Sequence, residues 1–238
     1  MPSYHWLVVR SFLRIQRMLC CVVVFFCSVY EAEADEMVCG KLNGHVIEFS
    51  RDYSMFWPEY EGKSSWEKGF MNNKQGCDAS LTSVSIVMTW PQMMPADRVT
   101  FFTQALQFEG VSIQLKPRSR SEVNFRPLLE HFLSFTPPSW KEQVRFDHAL
   151  GLFYVEGKNS VFSEYINKYY WSEVGGKIPV VIECKWLSQV GRLDTCEATY
   201  ALNQIEAVVD MRFTPEKIDQ WESMIHAVEK FVSSKLKQ

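Results

Sequence analysis

Ile205-Glu206-Ala207-Val208-Val209-Asp210-Met211-Arg212-Phe213, continued by Thr214-Pro215-Glu216-Lys217-Ile218, is the stretch on which the fold turns. Ile205, Ala207, Val209, Met211 and Phe213 share one face of an extended chain, the period-two pattern of a strand with one buried side. Thr214 can cap a helix, and Pro215 suits the first helical position because its missing N–H would have no partner there. Ile218, Trp221, Ile225, Val228 and Val232 follow at spacings of three and four, the apolar stripe of a helix that must lie on a sheet. Lys230, Lys235 and Lys237 complement the negative end of that helix dipole.

Outward from this strand and helix, the chain resembles itself. Cys196-Glu197-Ala198-Thr199-Tyr200 matches Cys77-Asp78-Ala79-Ser80-Leu81, and each cysteine is followed by a strand-like run, Val84–Trp90 in the earlier copy. Each run leads to a proline-led helix start, at Pro95 and Pro215. Trp66 and Trp171 precede the two cysteines in similar surroundings. The shared order predicts a duplicated β-β-α unit. In the earlier copy Val99, Phe102 and Leu106 form the apolar stripe of a shorter helix. Lys177–Trp186 reads as another strand, turned back through Val190–Asp194. The fold expected is α+β: two related antiparallel β-sheet/helix units packed together and stapled by disulfides. The units are residues 35–116 and 146–238. Residues 117–145 form a proline-rich connection with short helices opening at Pro127 and, by a Ser139–Glu142 capping box, at Ser139.

The first 34 residues have the layout of an export signal. Arg10, Arg14 and Arg17 precede the 13 apolar residues Met18–Tyr30, and Ala32-Glu33-Ala34 offers small residues at a cleavage point. A membrane span needs about 20 apolar residues, so cleavage after Ala34 is the expectation. Cleavage leaves about 204 residues and a net charge of −4. With 14% aromatic and 47% apolar residues the chain is not disordered. With no basic stripe, nucleic acid is excluded as a partner class.

Three of seven cysteines leave with the signal. The remaining Cys39, Cys77, Cys184 and Cys196 read as two disulfides in an exported chain, with three connectivities open. The hairpin predicted around Cys184 and Cys196 suits a cross-strand bridge, and exclusion then pairs Cys39 with Cys77. No C-x-x-C or zinc-like Cys/His spacing is present, so no metal is expected. The chain after Ala34 has no Asn-x-Ser/Thr acceptor, which favours a bacterial periplasm.

No residue set argues for catalysis or a cofactor. His45, His131, His148 and His226 form no metalloprotease pattern, and neither a nucleophile elbow nor an S-x-x-K arrangement occurs. Asp147-His148 is at most half of an acid–base pair. Aromatic residues beside acids are more informative: Glu59, Tyr60 and Glu61 in one segment, Glu164, Tyr165 and Tyr169 in another. Such segments serve either core packing or protein recognition.

Val38-Cys39-Gly40-Lys41, Tyr60-Glu61-Gly62, Trp66, Tyr170-Trp171, Ile182-Glu183-Cys184, Cys196-Glu197-Ala198 and the closing strand and helix with Trp221 together resemble the two-unit periplasmic immunity proteins encoded beside type VI secretion effectors. The resemblance implies a protein partner, a cognate secreted toxin blocked by direct binding, with Glu59, Tyr60, Glu61, Glu164, Tyr165 and Tyr169 as candidate contacts. It implies no catalytic residues. A periplasmic binding or envelope-assembly module without a toxin partner, or an uncharacterised hydrolase, are the alternative readings.

Overall fold

The structure, a computed structural model, describes residues 36–119, 124–134, 136, 138–158, 165–187 and 192–237. The expected export segment 1–34 and Glu164 lie outside the described residues. Strands β1 (Met37–Leu42) and β2 (His45–Ser50) form an antiparallel hairpin. The N-terminal part of the main sheet comprises β3 (Glu59–Tyr60), β4 (Leu81–Met88) and β5 (Val111–Pro117). The rest comprises β6 (Arg145–Asp147), β7 (Leu152–Lys158), β8 (Tyr165–Trp171), β9 (Val180–Leu187), β10 (Arg192–Leu202) and β11 (Ala207–Phe213). Their order is β3-β4-β5-β11-β10-β9-β8-β7-β6. Every neighbouring pair is antiparallel. With helices α1 (Arg98–Gln104), α2 (Arg126–Leu133) and α3 (Trp221–Ser234), the class is α+β.

The alternation read in the sequence is what builds the sheet. In β11, Ala207, Val209, Met211 and Phe213 are buried while the residues between them keep solvent contact. In β5 the same holds for Val111, Ile113 and Leu115. These two strands pair from Ala207↔Pro117 to Arg212↔Ser112, so the chain before and after residues 117–145 meets strand to strand in one sheet. One sheet face packs against α3, through Trp221, Met224, Val228 and Val232, and against Leu42, Ile47 and Phe49 of the hairpin. The α3 stripe therefore takes Met224 and Phe231 in addition to the expected Trp221, Val228 and Val232, while Ile218 and Ile225 pack at its margin. Pro215 opens a 3-10 stretch to Gln220, and the α-helix itself begins at Trp221, whose indole N–H donates to Leu150 O at 3.1 Å.

Both disulfides join the expected partners. Cys184 and Cys196 face each other across β9 and β10, with Cα atoms 4.0 Å apart. Cys39–Cys77 ties β1 to the turn ahead of β4. The β1–β2 hairpin also clasps the end of α3: Glu48 N–H donates to Lys235 O, and Lys237 N–H to Val46 O, each at 2.9 Å. Disulfides belong to oxidising compartments outside the cytosol. Among the described residues no helix is long and apolar enough to cross a membrane.

The two cysteine-centred segments keep their order but differ in setting. Cys196 lies inside β10, whereas Cys77 lies in a turn. The helix after Pro95 is α1, and it packs beside Val87 on the sheet face opposite α3. The reason is local: in β4 both Ile86 and Val87 are buried, so each face of that strand has a cover. Helix α2 lies on the same second face as α1, placing Leu129 and Leu133 against Val155, Tyr169, Trp171 and Val181.

In the chain-entropy model the 38-residue separation of Cys39–Cys77 is worth about 4 kcal/mol and the 12-residue separation of Cys184–Cys196 about 3 kcal/mol. Replacing Cys39 and Cys77 together by Ala should therefore lower the denaturation midpoint more than replacing Cys184 and Cys196, and the chain from residue 35 onward should show no free thiol when denatured without reductant. The buried phenols set a second expectation. Burial raises the pKa of Tyr200, Tyr169 and Tyr170 above the ordinary phenol value. A raised folded pKa gives stability that is complete below the unfolded value, about 10, and is lost as pH rises through the folded one. Unfolding followed by circular dichroism and tyrosinate absorbance should coincide in one alkaline step above about pH 10.

Candidate protein-binding site

Between the clusters under α1 and α2, the second face of the sheet is polar. Ser112 and Gln114 of β5, Asp210 and Arg212 of β11, and Glu197 and Thr199 of β10 come side by side through the strand register. Their charges are matched locally. Lys116 Nζ lies 2.8 Å from Asp210 Oδ2, Thr199 Oγ1 donates to Asp210 Oδ1 at 2.8 Å, and Arg212 Nε lies 2.5 Å from Glu197 Oε2. Exposed pairs of this kind contribute little to stability, about 1 kcal/mol or less each, but they leave a floor with no net charge to bury.

An apolar wall rises beside this floor. Asp97 caps α1, its carboxylate accepting from Thr100 N–H at 2.7 Å and from Thr100 Oγ1 at 2.8 Å. These hydrogen bonds hold the Asp97 carboxyl below its ordinary pKa. The helix is only seven residues long and ends at Ala105, whose φ of 50° lies in the left-handed region. So short a helix covers only a small patch of sheet. Phe101 packs toward Phe108, with ring centroids 5.2 Å apart, over Met55, Val87 and Ala96.

The expected stripe does not face the sheet. Val99, Phe102 and Leu106 are 74%, 49% and 56% exposed. The correction has a clear cause: Phe101 and Phe102 are adjacent, only one of them can face inward, and the buried Phe108 receives Phe101. Phe56 extends the apolar surface, its ring centroid 6.1 Å from those of both Phe101 and Phe102. Trp57 lies next to it, 55% exposed, with the Arg51 guanidinium 4.3 Å from its ring centroid. Arg98 sits over Phe102 at 5.5 Å. A groove of about 390 Å3 opens between this wall and the polar floor, lined by Phe56, Phe101, Phe102, Leu106, Gln114 and Arg212 among others.

The acidic–aromatic segments lie elsewhere and apart. Glu59 and Tyr60 form β3 at one end of the sheet, and Tyr165 and Tyr169 are in β8 near the other. Six strand steps of about 4.8 Å separate them, about 29 Å in all. Of the candidate contacts, Tyr60 and Tyr169 are buried and take the core-packing role: Tyr60 donates to Cys39 O at 2.8 Å, and Tyr169 stacks on Phe132 of α2. Glu59 is half-buried and accepts from Ser65 Oγ at 2.9 Å, Glu61 is exposed, and Tyr165 is half-buried.

Asp147, the acid beside His148, accepts from the N–H groups of Ala149 and Leu150 at 3.0 and 3.1 Å, which makes it a turn-former. One grouping of metal-ligand type occurs among the described residues, Cys39, Glu48 and Cys77. Its two sulfurs are spent in the disulfide, and Glu48 pairs with Lys237 at 2.7 Å. Arg51 and Phe56 were missed by sequence reasoning. The signal was there as Phe56-Trp57 five residues past Arg51, but no periodicity marks a side chain displayed by a loop.

No protein-family model matches the sequence, and no curated sequence is similar to it. Two solved structures are similar to this chain. Smlt3025, an immunity protein of the Stenotrophomonas maltophilia type IV secretion system, matches with a TM-score of 0.53 and 14% identity, over 86% of this chain and 94% of that one. The Neisseria meningitidis iron-regulated outer membrane lipoprotein FrpD matches with a TM-score of 0.49 and 12% identity over the same shares. The first of these is an immunity protein, as the sequence resemblance implied, but of a type IV system.

The wall's exposure has a measurable consequence. Val99→Ser should change stability by no more than about 0.5 kcal/mol, the range of surface substitutions, and Phe102→Ser should cost about 1 kcal/mol through its ring contacts with Phe56 and Phe101. Tyr169→Ala and Ile113→Ala, at buried positions, should cost about 2–5 kcal/mol. Thermal and denaturant unfolding of the four variants measures the contrast.

Proposed function

We propose that this protein is exported to the periplasm, loses its N-terminal signal, and neutralises a secreted bacterial toxin by binding it directly, with no chemistry of its own. The observation that carries the binding role is the contiguous exposed surface of Phe56, Trp57, Val99, Phe102 and Leu106. Large apolar groups gathered in one patch, with arginines beside them, are the composition of interface hot spots. The patch stands on a scaffold that two disulfides and a nine-stranded sheet hold in place, so little ordering entropy is lost on association.

The toxin as partner rests on likeness. The fold is similar to that of a secretion-system immunity protein along nearly the full length of both chains. The sequence resemblance narrows the system to type VI, and we take the toxin to be an effector of that system acting in the periplasm. A test follows from that assignment. Bacteria directing the product of a neighbouring effector gene to their periplasm should die when this protein is absent and survive when it is co-expressed with its export segment, and the two proteins should co-purify. Death despite equal periplasmic levels of this protein, with no co-purification, would overturn the assignment.

A further inference from the structure

We infer that Asn43 is a site of spontaneous deamidation, gated by opening of the β1–β2 hairpin, whose product can no longer clasp that hairpin to the end of the β5–β11 pair. The inference concerns the scaffold and is independent of the binding role proposed above.

Asn43-Gly44 is the one Asn-Gly pair in the sequence, and it forms the two-residue turn between Leu42 and His45. Both residues have positive φ, 48° and 84°, as a hairpin turn of this length demands, which is why Asn and Gly stand here. Both are exposed, and among the described residues nothing lies within 4 Å of where a Gly44 Cβ would stand. A peptide bond without steric cover thus adjoins the Asn43 amide.

The reaction needs only these two residues and water. The Gly44 nitrogen attacks Cγ of Asn43. The N–Cγ bond forms, the Cγ–Nδ2 bond breaks, and Nδ2 takes up the proton that the Gly44 nitrogen gives off and leaves as ammonia. Water then opens the five-membered imide at one of its two carbonyls, leaving aspartate or isoaspartate at position 43. No oxidant, cofactor or enzyme enters.

The fold restrains the first step. Asn43 Nδ2 donates to Arg118 O at 3.0 Å and to Glu206 O at 2.6 Å. Arg118 directly follows β5 and Glu206 directly precedes β11, and Arg118 N–H donates to Glu206 O at 2.8 Å. One side-chain amide therefore fastens the hairpin turn to the end of the strand pair, with both of its protons in use. Attack on Cγ requires those two contacts and the left-handed turn to be released together, so the hairpin must lift first. Lifting is opposed by Cys39–Cys77, by Lys41 N–H on Ala79 O at 2.7 Å, and by the main-chain bonds of Val46 and Glu48 to the chain that ends α3.

Once formed, the product does not re-close. A carboxylate has no proton to donate, and in place of the amide it would set a negative charge against two carbonyl oxygens. Isoaspartate also lengthens the main chain by one methylene, in a turn whose length fixes the pairing of Leu42 with His45. An opening of the hairpin that is followed by reaction is thereby made irreversible.

Peptide mass mapping of the purified full-length protein, aged in neutral buffer, reads the conversion. Trypsin cuts after Lys41 and Arg51, and the released segment gains one mass unit on deamidation. A synthetic peptide of residues 42–51 sets the unrestrained rate. The native protein should convert at least ten-fold more slowly than that peptide. C39A/C77A should convert at least five-fold faster than the native protein, and so should a chain ending at Ser234, which opens the clasp from its other side and serves if the first variant does not fold. Circular dichroism checks that the variant scored is folded. Asn43→Asp, which has the charge of the product, should melt about 3 °C lower or more, and its Glu48 and Lys237 amide protons should exchange at least ten-fold faster. Three results would overturn the inference: native protein converting as fast as the peptide, no acceleration in a folded clasp variant, or Asn43→Asp melting and exchanging as the wild type does.

Discussion

The pairing of β5 with β11 is the contact on which the rest of the molecule depends. It joins the strands that precede residues 117–145 to those that follow them, and among the described residues it is the only strand pairing of the main sheet that does so. The register that pairs Met211 with Ile113 and Val209 with Leu115 puts the large apolar side chains of the two strands on one face, with Val208 the exception. A slip of β11 by one residue would turn Asp210 and Arg212 into the core and expose Val209 and Met211. Each fully buried apolar side chain is worth about 1.5–3 kcal/mol, so the register is strongly specified. The face that results needs a cover, and α3 follows β11 with only the Thr214–Gln220 turn between them. The hairpin, pinned by Cys39–Cys77 and by the main-chain bonds to Val46 and Lys235, then closes over the end of that helix.

The same register makes the second face. Because β5 and β11 spend most of their apolar residues on α3, what remains on the other side is Ser112, Gln114, Lys116, Val208, Asp210 and Arg212. Helices α1 and α2 cover that face only where β4 contributes Val87 and where β7, β8 and β9 contribute Val155, Tyr169 and Val181. A polar band bordered by an aromatic wall is thus a consequence of how the sheet is built. Neither its paired charges nor its groove needed a separate device.

How much of this was legible follows from which interactions leave a period in the sequence. Strand β11 and helix α3 were legible because each has one buried side and a regular repeat, and the boundaries differ from those expected only at the turns. The disulfides were legible because Cys184 and Cys196 flank a hairpin and only two other cysteines follow the export segment. Helix α1 was legible as a helix but not in its orientation. Val99, Phe102 and Leu106 fit a buried stripe, yet seven residues can cover only one ring, and the choice of Phe101 over Phe102 is made by Phe108 and Val87, which are distant in pattern though near in space. Tyr60 and Tyr169 were left open between core and recognition surface, with the acids of their segments as the cue to recognition. In a strand, neighbours point to opposite faces, so an acidic neighbour carries no information about the exposure of the ring next to it.

That last point separates two meanings of charge in this protein. A count of acids and bases over the chain describes its field at a distance, and the value is negative. The surface that exposes apolar rings is bordered by Arg51 and Arg98, each stacked on the ring it accompanies, with Asp52 and Asp97 beside them to balance the charge. These are not contradictory, because ion pairs such as Lys116–Asp210 and Arg212–Glu197 consume the acids of the sheet face where they stand. Acids remain in surplus elsewhere, as at Glu61, which is exposed beyond β3. Net charge therefore sets the rate at which a partner of opposite sign arrives, while local geometry sets which of its segments stays. A recognition residue here is best sought where a side chain is exposed at a cost in apolar area, as at Phe102 and Trp57, rather than where residue types merely cluster in the sequence.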